Sequence, residues 1–312
     1  MGIYVLKPAC KDYLWGGHKL VEKYNVDYSG EICAEAWTLS CHKDGLSIIT
    51  NGINKGKTLS ELINNKGKEI LGKNCLKYKD FPILIKLIDA KKALSIQVHP
   101  DDEYALKHEN QYGKTEMWYV LEAEEGAFLY QGFEEVISKE EFEKRIKENT
   151  LTEVLHKEYV KPGDVIFISP GTLHSIGAGL VIAEIQQSSN VTYRIYDYGR
   201  VGADGKPRQL HIQQSLDVTK IEKPVKYESP DKHMVSCEFF CVDKIETTDS
   251  KGYSYNADDS SFVSILVTDG EGTIATVDEL FSIKKGDSVF VEASTGKFEI
   301  TGNIKAVQTI VG

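Results

Sequence analysis

The 312-residue sequence lacks several things that would each point to a different kind of protein. It has no apolar run near the roughly 18 residues a membrane helix needs; stretches such as 81–90 and 165–168 are short or broken by Lys86 and Asp89. A helical membrane span is therefore excluded. It lacks a basic surplus: 37 Lys and Arg stand against 47 Asp and Glu, a net charge of -10, which excludes a broad nucleic-acid footprint. Its six cysteines (Cys10, Cys33, Cys41, Cys75, Cys237, Cys241) contain no CxxC pair and no dense framework, so they read as reduced thiols, each a small buried apolar residue. No Gly-rich phosphate loop or dinucleotide fingerprint is present, which argues against a nucleotide cofactor. The start, MGIYVLKP, places Lys7 after the apolar stretch and offers no cleavage site or Ser/Thr at position 6; the expectation is a cytoplasmic protein without signal peptide or myristoyl anchor.

What is present is mostly strand. Residues 36–40, 117–121 and 262–267 alternate with period two, and Gly, Asp and Asn punctuate such runs, predicting barrels or sandwiches of antiparallel strands. Three segments carry helical periodicity instead. One is 58–71, capped by Thr58 or Ser60; one is 138–149, with Ser138 and Glu141 at capping-box spacing; the third is 212–218. A repeat also appears: Val160-Lys161-Pro162-Gly163-Asp164 followed by an apolar strand resembles Ile283-Lys284-Lys285-Gly286-Asp287 followed by another, each preceded by a Glu-Gly at 125–126 and 271–272. The first copy is longer by about the helix at 138 and its flanks. The expected fold is mainly β, two related barrels with helical insertions near 58–72 and 138–157 in the first; the expected domains are 1–230 and 231–312.

In the first copy the repeat runs on through Pro170-Gly171 to His174. Upstream, Gln97 and His99 stand two apart on one strand, so alternation sends both to the same face, where they can share a metal. Glu116 opens the next strong strand. Gln97, His99, Glu116 and His174 form a candidate mixed nitrogen and oxygen site with room for water or substrate, as a catalytic zinc requires. Their order resembles that of the cupin superfamily, with Gln97 where many cupins have a first histidine and with a helical excursion, 101–110, before the acid.

Taken together, Gln97-Val98-His99-Pro100-Asp101-Asp102, Gly113-Lys114-Thr115-Glu116-Met117-Trp118-Tyr119, Pro170-Gly171-Thr172-Leu173-His174 and the run from Gln186 through Tyr193-Arg194-Ile195-Tyr196-Asp197-Tyr198 resemble type I phosphomannose isomerase in its short bacterial form. The resemblance extends from Trp15-Gly16-Gly17 to about Asp217, and residues 231–312 match only as a degenerate cupin. It implies two cupin-type jelly-roll barrels and a metal-dependent isomerisation of mannose 6-phosphate to fructose 6-phosphate through a cis-enediol. It implies zinc on Gln97, His99, Glu116 and His174, an active-site arginine at Arg194, and roles for Lys114 and Glu184. Arg200 stands where relatives often have lysine.

The chemistry needs a base for the proton on C2, and Glu184 and Lys114 both qualify; Glu184 is favoured because a carboxylate is basic at neutral pH without a large pKa shift. The phosphate needs local cations in an acidic protein. Arg194 and Arg200 suit it through the planar guanidinium fork, and Lys86 is a further candidate, with a snorkelling edge residue as its plain structural alternative. Two other readings are an iron-dependent cupin oxygenase and a non-catalytic sugar-binding cupin. Aligning Gly163 with Gly286 carries His174 onto Lys297, and residues 234–312 contain no histidine, so one divalent metal per chain is expected. The expected partner is a small sugar phosphate, with neither nucleic acid nor membrane.

Overall fold

The computed structural model describes residues 2–201 and 205–312. They form two compact units. The first comprises the chain up to Asp12, His18–Leu87 and Glu228–Gly312; the second comprises Tyr13–Gly17 and Ile88–Tyr227. Strand Ile83–Ala90 carries the chain from one to the other. This division differs from a cut at 230/231, because residues 18–87 fold with the C-terminal segment. The cause is long-range pairing: strand Ile3–Lys7 lies antiparallel to Ser288–Val291, with Ile3 opposite Val291, and Ile48–Ile49 adds to its other side. Local periodicity carries no trace of a partner nearly 290 residues away. Among the described residues no helix is long and apolar enough to cross a membrane.

The first unit is built on a nine-stranded antiparallel sheet whose hydrogen-bonded path runs from Val235–Ser236 to Ile48–Ile49 without returning on itself. Its long strands, Val263–Ala275 and Gly296–Ile310, pair along most of their length. Alternation sends Val263, Ile265 and Val267 into a core shared with Val289, Val291, Phe298 and Ile300, all essentially inaccessible to water. The expected first helix is here, Leu59–Lys66. Thr58, not Ser60, caps it: its hydroxyl accepts from the Glu61 N–H at 3.1 Å, and Glu61 returns the bond to the Thr58 N–H at 2.7 Å.

In the second unit, one five-stranded sheet runs in the order Tyr193–Tyr196, Ile96–Val98, His174–Ile176, Phe128–Phe133, Leu155–Tyr159. A second layer pairs Val165–Ile168, Glu116–Ala123 and Leu180–Gln187. The helix Lys139–Lys147 packs Phe142 and Ile146 onto the core of Ile96, Val98, Phe133 and Tyr193. Ser138 caps it, accepting from Glu141 N–H at 3.1 Å, but the box stays half-made because Glu141 Oε1 instead accepts from Arg145 Nε–H at 2.7 Å. The third expected helix is Ile212–Val218.

The repeated Lys-x-Gly-Asp motif folds into the same turn twice. Asp164 accepts from the Lys161 N–H at 2.8 Å and Asp287 from the Lys284 N–H at 2.9 Å. Gly163 and Gly286 adopt φ of 96° and 94°, a left-handed conformation that a side chain would strain.

Candidate active site

The site is assembled within the second unit, from both of its sheets. On one sheet His174 lies opposite Gln97, and Arg194 lies on Gln97's other side, so cross-strand pairing turns all three to one face. His99 follows one residue after strand Ile96–Val98. On the other sheet Glu116 pairs with Gln186 and Trp118 with Glu184, again sharing a face. The two faces meet: Glu116 Oε1 is 3.3 Å from His174 Nε2, and Trp118 packs edge-on against the His174 ring at 5.4 Å.

His99, Glu116 and His174 are buried, and one potential donor atom from each lies within 4.8 Å of the others. The two Nε2 atoms are 3.1 Å apart, and His99 Nε2 is 3.7 Å from Glu116 Oε2. Each Nδ1 lies 2.8 Å from a backbone carbonyl, Val191 O for His99 and Thr172 O for His174. A carbonyl only accepts, so Nδ1 carries the proton and Nε2 points its lone pair at the shared centre. Burial pushes the His174 pKa down to about 4, which keeps that imidazole neutral. Two neutral imidazoles and a carboxylate converging on one buried point fit a divalent cation.

Gln97 is the fourth expected ligand. Its Nε2 stands 3.4 Å from His174 Nε2, while its Oε1 accepts from Ser95 Oγ at 3.4 Å. A half-turn of the terminal amide would aim the oxygen at the cluster, an exchange of nearly isosteric groups.

Lys114 enters from the turn before Glu116. Its Nζ donates to Glu116 Oε2 and stands 3.1 Å from His99 Nε2 and 3.8 Å from Glu184 Oε1. Glu184 is buried and its Oε2 accepts from Trp118 Nε1 at 2.9 Å. The turn is braced by two residues that sequence reading quoted without a role: Gln187 accepts from the Thr115 N–H at 2.8 Å and donates to Asp102 Oδ1 at 2.8 Å, which also accepts from the Gly113 N–H at 2.7 Å.

Arg194 donates from Nε to Ser95 Oγ at 3.2 Å and from Nη1 to Gln209 O at 3.2 Å, so Ser95 links it to Gln97. Burial, and then the neighbouring Arg208 charge, lowers its pKa from the usual guanidinium value. Arg200 is held by Asp197 and a backbone carbonyl. Its Nε and Nη2 bind Asp197 and its Nη1 donates to Ala93 O at 2.7 Å. Asp197, itself buried, also accepts from Arg208 Nε at 2.7 Å. Burial alone would raise the Asp197 pKa, but hydrogen bonds from Arg208 and Arg200 outweigh it and the net shift is down. Arg208 and Ser95 were missed because no spacing rule ties them to a motif; they become neighbours only through strand pairing and loop closure.

Lys86 belongs to the first unit. It is 4% exposed, its Nζ 3.8 Å from Glu35 Oε2 and 5.3 Å from the centre of the Trp37 ring. Its head does not snorkel into solvent; Glu35 answers the charge.

An imidazole, imidazole and carboxylate cluster that could hold a metal ion, buried between facing antiparallel sheets, is the arrangement of a β protein of the cupin kind. The comparisons narrow the class. Residues 3–129 match the family model "Phosphomannose isomerase type I, catalytic domain" and residues 231–311 match "Mannose-6-phosphate isomerase, cupin domain". The chain is 37% identical to a mannose-6-phosphate isomerase of Streptococcus mutans, over 94% of this chain and 93% of the relative. It is 34% identical to mannose-6-phosphate isomerase ManA of Bacillus subtilis, over 96% of each. The crystal structure of a mannose 6-phosphate isomerase from Bacillus subtilis superposes with a TM-score of 0.91 at 32% identity, covering 99% of both chains. The chain belongs to the type I mannose-6-phosphate isomerase family.

Proposed function

We propose that this chain is a metal-dependent aldose-ketose isomerase that interconverts mannose 6-phosphate and fructose 6-phosphate through a cis-enediol. The observation that carries the reading is the meeting of Glu184 and Lys114 with the His99, Glu116 and His174 cluster at one buried point, with Arg194 on the same sheet face. In this reading the unit of Tyr13–Gly17 and Ile88–Tyr227 holds the chemistry on a cupin-type jelly roll, and residues 231–312 are a degenerate cupin without a metal of their own. The strand paths within each unit are open, so closure of each barrel is part of the proposal.

Gln97 Oε1, His99 Nε2, Glu116 and His174 Nε2 would hold one divalent ion, taken as Zn2+ from the mixed nitrogen and oxygen donors. Such an ion, when bound, polarises the substrate oxygens and offsets the negative charge of the enediolate. Glu184 removes the proton from C2 and returns it to C1 on the same face, and Lys114 donates to the substrate oxygen on which charge develops. Trp118 fixes the base: its Nε1–H bond orients Glu184 and, with the surrounding burial, keeps bulk water away. Trp118→Phe is therefore expected to lower kcat by about tenfold with metal content unchanged, since one hydrogen bond to a charged group is lost. An unchanged kcat would remove Trp118 from that role.

The phosphate is assigned to Arg194, whose planar fork suits a phosphoryl group. Asp197 gathers Arg200 and Arg208 beside it, so the loop keeps a cationic surplus around a fixed carboxylate. Arg194→Ala is expected to cost about 2–4 kcal/mol of transition-state stabilisation, about two to three decades in kcat/KM, while metal content stays at wild-type level. A kcat/KM within threefold of wild type would contradict the assignment. An oxygenase or a silent sugar sensor is not favoured, because neither accounts for a buried Glu184 and Lys114 pair beside the cluster.

In the first unit Lys297 stands exposed, ion-paired with Glu299 at 2.7 Å. Lys297→Ala is expected to leave both metal content and turnover unchanged; loss of either, by elemental analysis or assay, would give residues 231–312 a role they lack here. The proposed activity is tested by following fructose 6-phosphate from mannose 6-phosphate in a coupled assay, and the absence of product from metal-replete protein would overturn it.

A further inference from the structure

Strand Leu180–Gln187 is buried along its whole length and runs into the polar stretch Gln186-Gln187-Ser188-Ser189-Asn190. Gln186 is fully buried, opposite Glu116 and two residues from Glu184, so alternation sets all three on one face. An amide so placed is costly unless its polar atoms are bonded. Gln186 Nε2 donates to Gln187 O and to Ser189 O, each at 2.7 Å. Both partners are carbonyls, which only accept, so the amide cannot be turned over. Its Oε1 has no hydrogen-bond partner among the described residues, and the two donors are therefore what this side chain contributes.

Those donors close a turn. The Ser189 N–H also donates to Gln187 O at 2.7 Å, and the buried Ser189 Oγ accepts from the Val191 N–H at 3.3 Å. Val191 is the residue whose carbonyl lies 2.8 Å from His99 Nδ1. His174 takes the equivalent bond from Thr172 O, two residues before it in the chain. His99 has no such local partner for its Nδ1 bond and relies on a segment 92 residues further on, so whatever holds that segment sets the ring. We infer that Gln186 is a positioning residue for His99, a role that rests on the proposed metal centre. By clamping the turn at 187–191 it fixes Val191 O, and through it the tautomer that keeps the His99 Nε2 lone pair turned toward Glu116 and His174. Without the two donors the turn relaxes, Val191 O shifts, and the Nε2–H form, whose proton occupies that lone pair, becomes populated.

The test is Gln186→Met, which keeps the length of the side chain and removes both donors. Histidine tautomers are read from two-bond nitrogen–proton correlations on the isotope-labelled, chelator-stripped full chain at about pH 8, where imidazole is neutral. Zn2+ affinity is read by competition with a chromogenic chelator. In the wild type His99 and His174 should both carry the proton on Nδ1. In Gln186→Met His99 should show a mixture of tautomers while His174 stays unchanged, and Zn2+ should bind about 10- to 100-fold more weakly. If circular dichroism shows that Gln186→Met does not fold, Ser189→Ala, which removes the acceptor of the Val191 N–H, carries the same test with the same expected mixture. A folded variant with His99 wholly in the Nδ1–H form, or with Zn2+ affinity within threefold of wild type, would overturn the role. The tautomer measurement needs no metal: wild-type protein that takes up no Zn2+ would contradict the metal centre, and the tautomer shift in the variant would still establish the clamp.

Discussion

Glu184→Gln is expected to lower kcat by about three decades while mannose 6-phosphate still binds with a dissociation constant near wild type. The amide keeps the shape of the side chain and can still accept from Trp118 Nε1, which in the wild type donates to Glu184 Oε2 at 2.9 Å, but it has no basic oxygen for the C2 proton. General-base catalysis contributes about two to four decades, and the buried position of Glu184 leaves little room for water to substitute. Exchange of the C2 proton with deuterated solvent isolates this step from binding. Exchange at the wild-type rate in the variant would transfer the role of base to Lys114, the other proton-transfer group at hand, 3.8 Å from Glu184 Oε1.

The second large effect is expected from His174→Ala, which should abolish tight metal binding and with it more than about two decades of activity, while the protein stays folded. His174 contributes a neutral Nε2 whose ring is set by the Nδ1 bond to Thr172 O at 2.8 Å, and the same substitution removes the partner of Gln97 across the strand pair. Circular dichroism and metal analysis on one sample separate loss of the ion from loss of the fold. A folded variant that retains one ion per chain would remove His174 from the ligand set.

Much of this site is legible in the sequence because the chemistry is carried by close spacings. Gln97 and His99 stand two apart on one extended segment, Lys114 and Glu116 share a turn and strand start, and His174 follows the Pro170-Gly171 turn; each pairing is within a few residues, where alternation and turn preference act. The residues whose roles escaped notice are held by long-range contacts. Ser95 matters because it joins Arg194 to Gln97, Gln187 because it reaches Asp102 and the Thr115 amide, and Arg208 because Asp197 collects it. Arg200 shows the converse. Its spacing suggested a phosphate ligand, and the structure adds what no one-dimensional pattern reveals, that its guanidinium also binds Asp197 and the Ala93 carbonyl. The helices at 59–66, 139–147 and 212–218 were readable from caps and periodicity, whereas the assignment of residues 18–87 to the C-terminal unit depends on strand pairings between opposite ends of the chain.

The central claim is that one metal, held by Gln97, His99, Glu116 and His174, supports isomerisation of mannose 6-phosphate. The direct measurement is a titration: strip the protein with chelator, return Zn2+ in steps, and read bound metal per chain against the rate of fructose 6-phosphate formation in the same samples. The account predicts no isomerisation in the stripped protein and a rate that rises linearly to a plateau at one ion per chain. Full activity in the stripped protein, or a plateau reached only at two ions per chain, would contradict it.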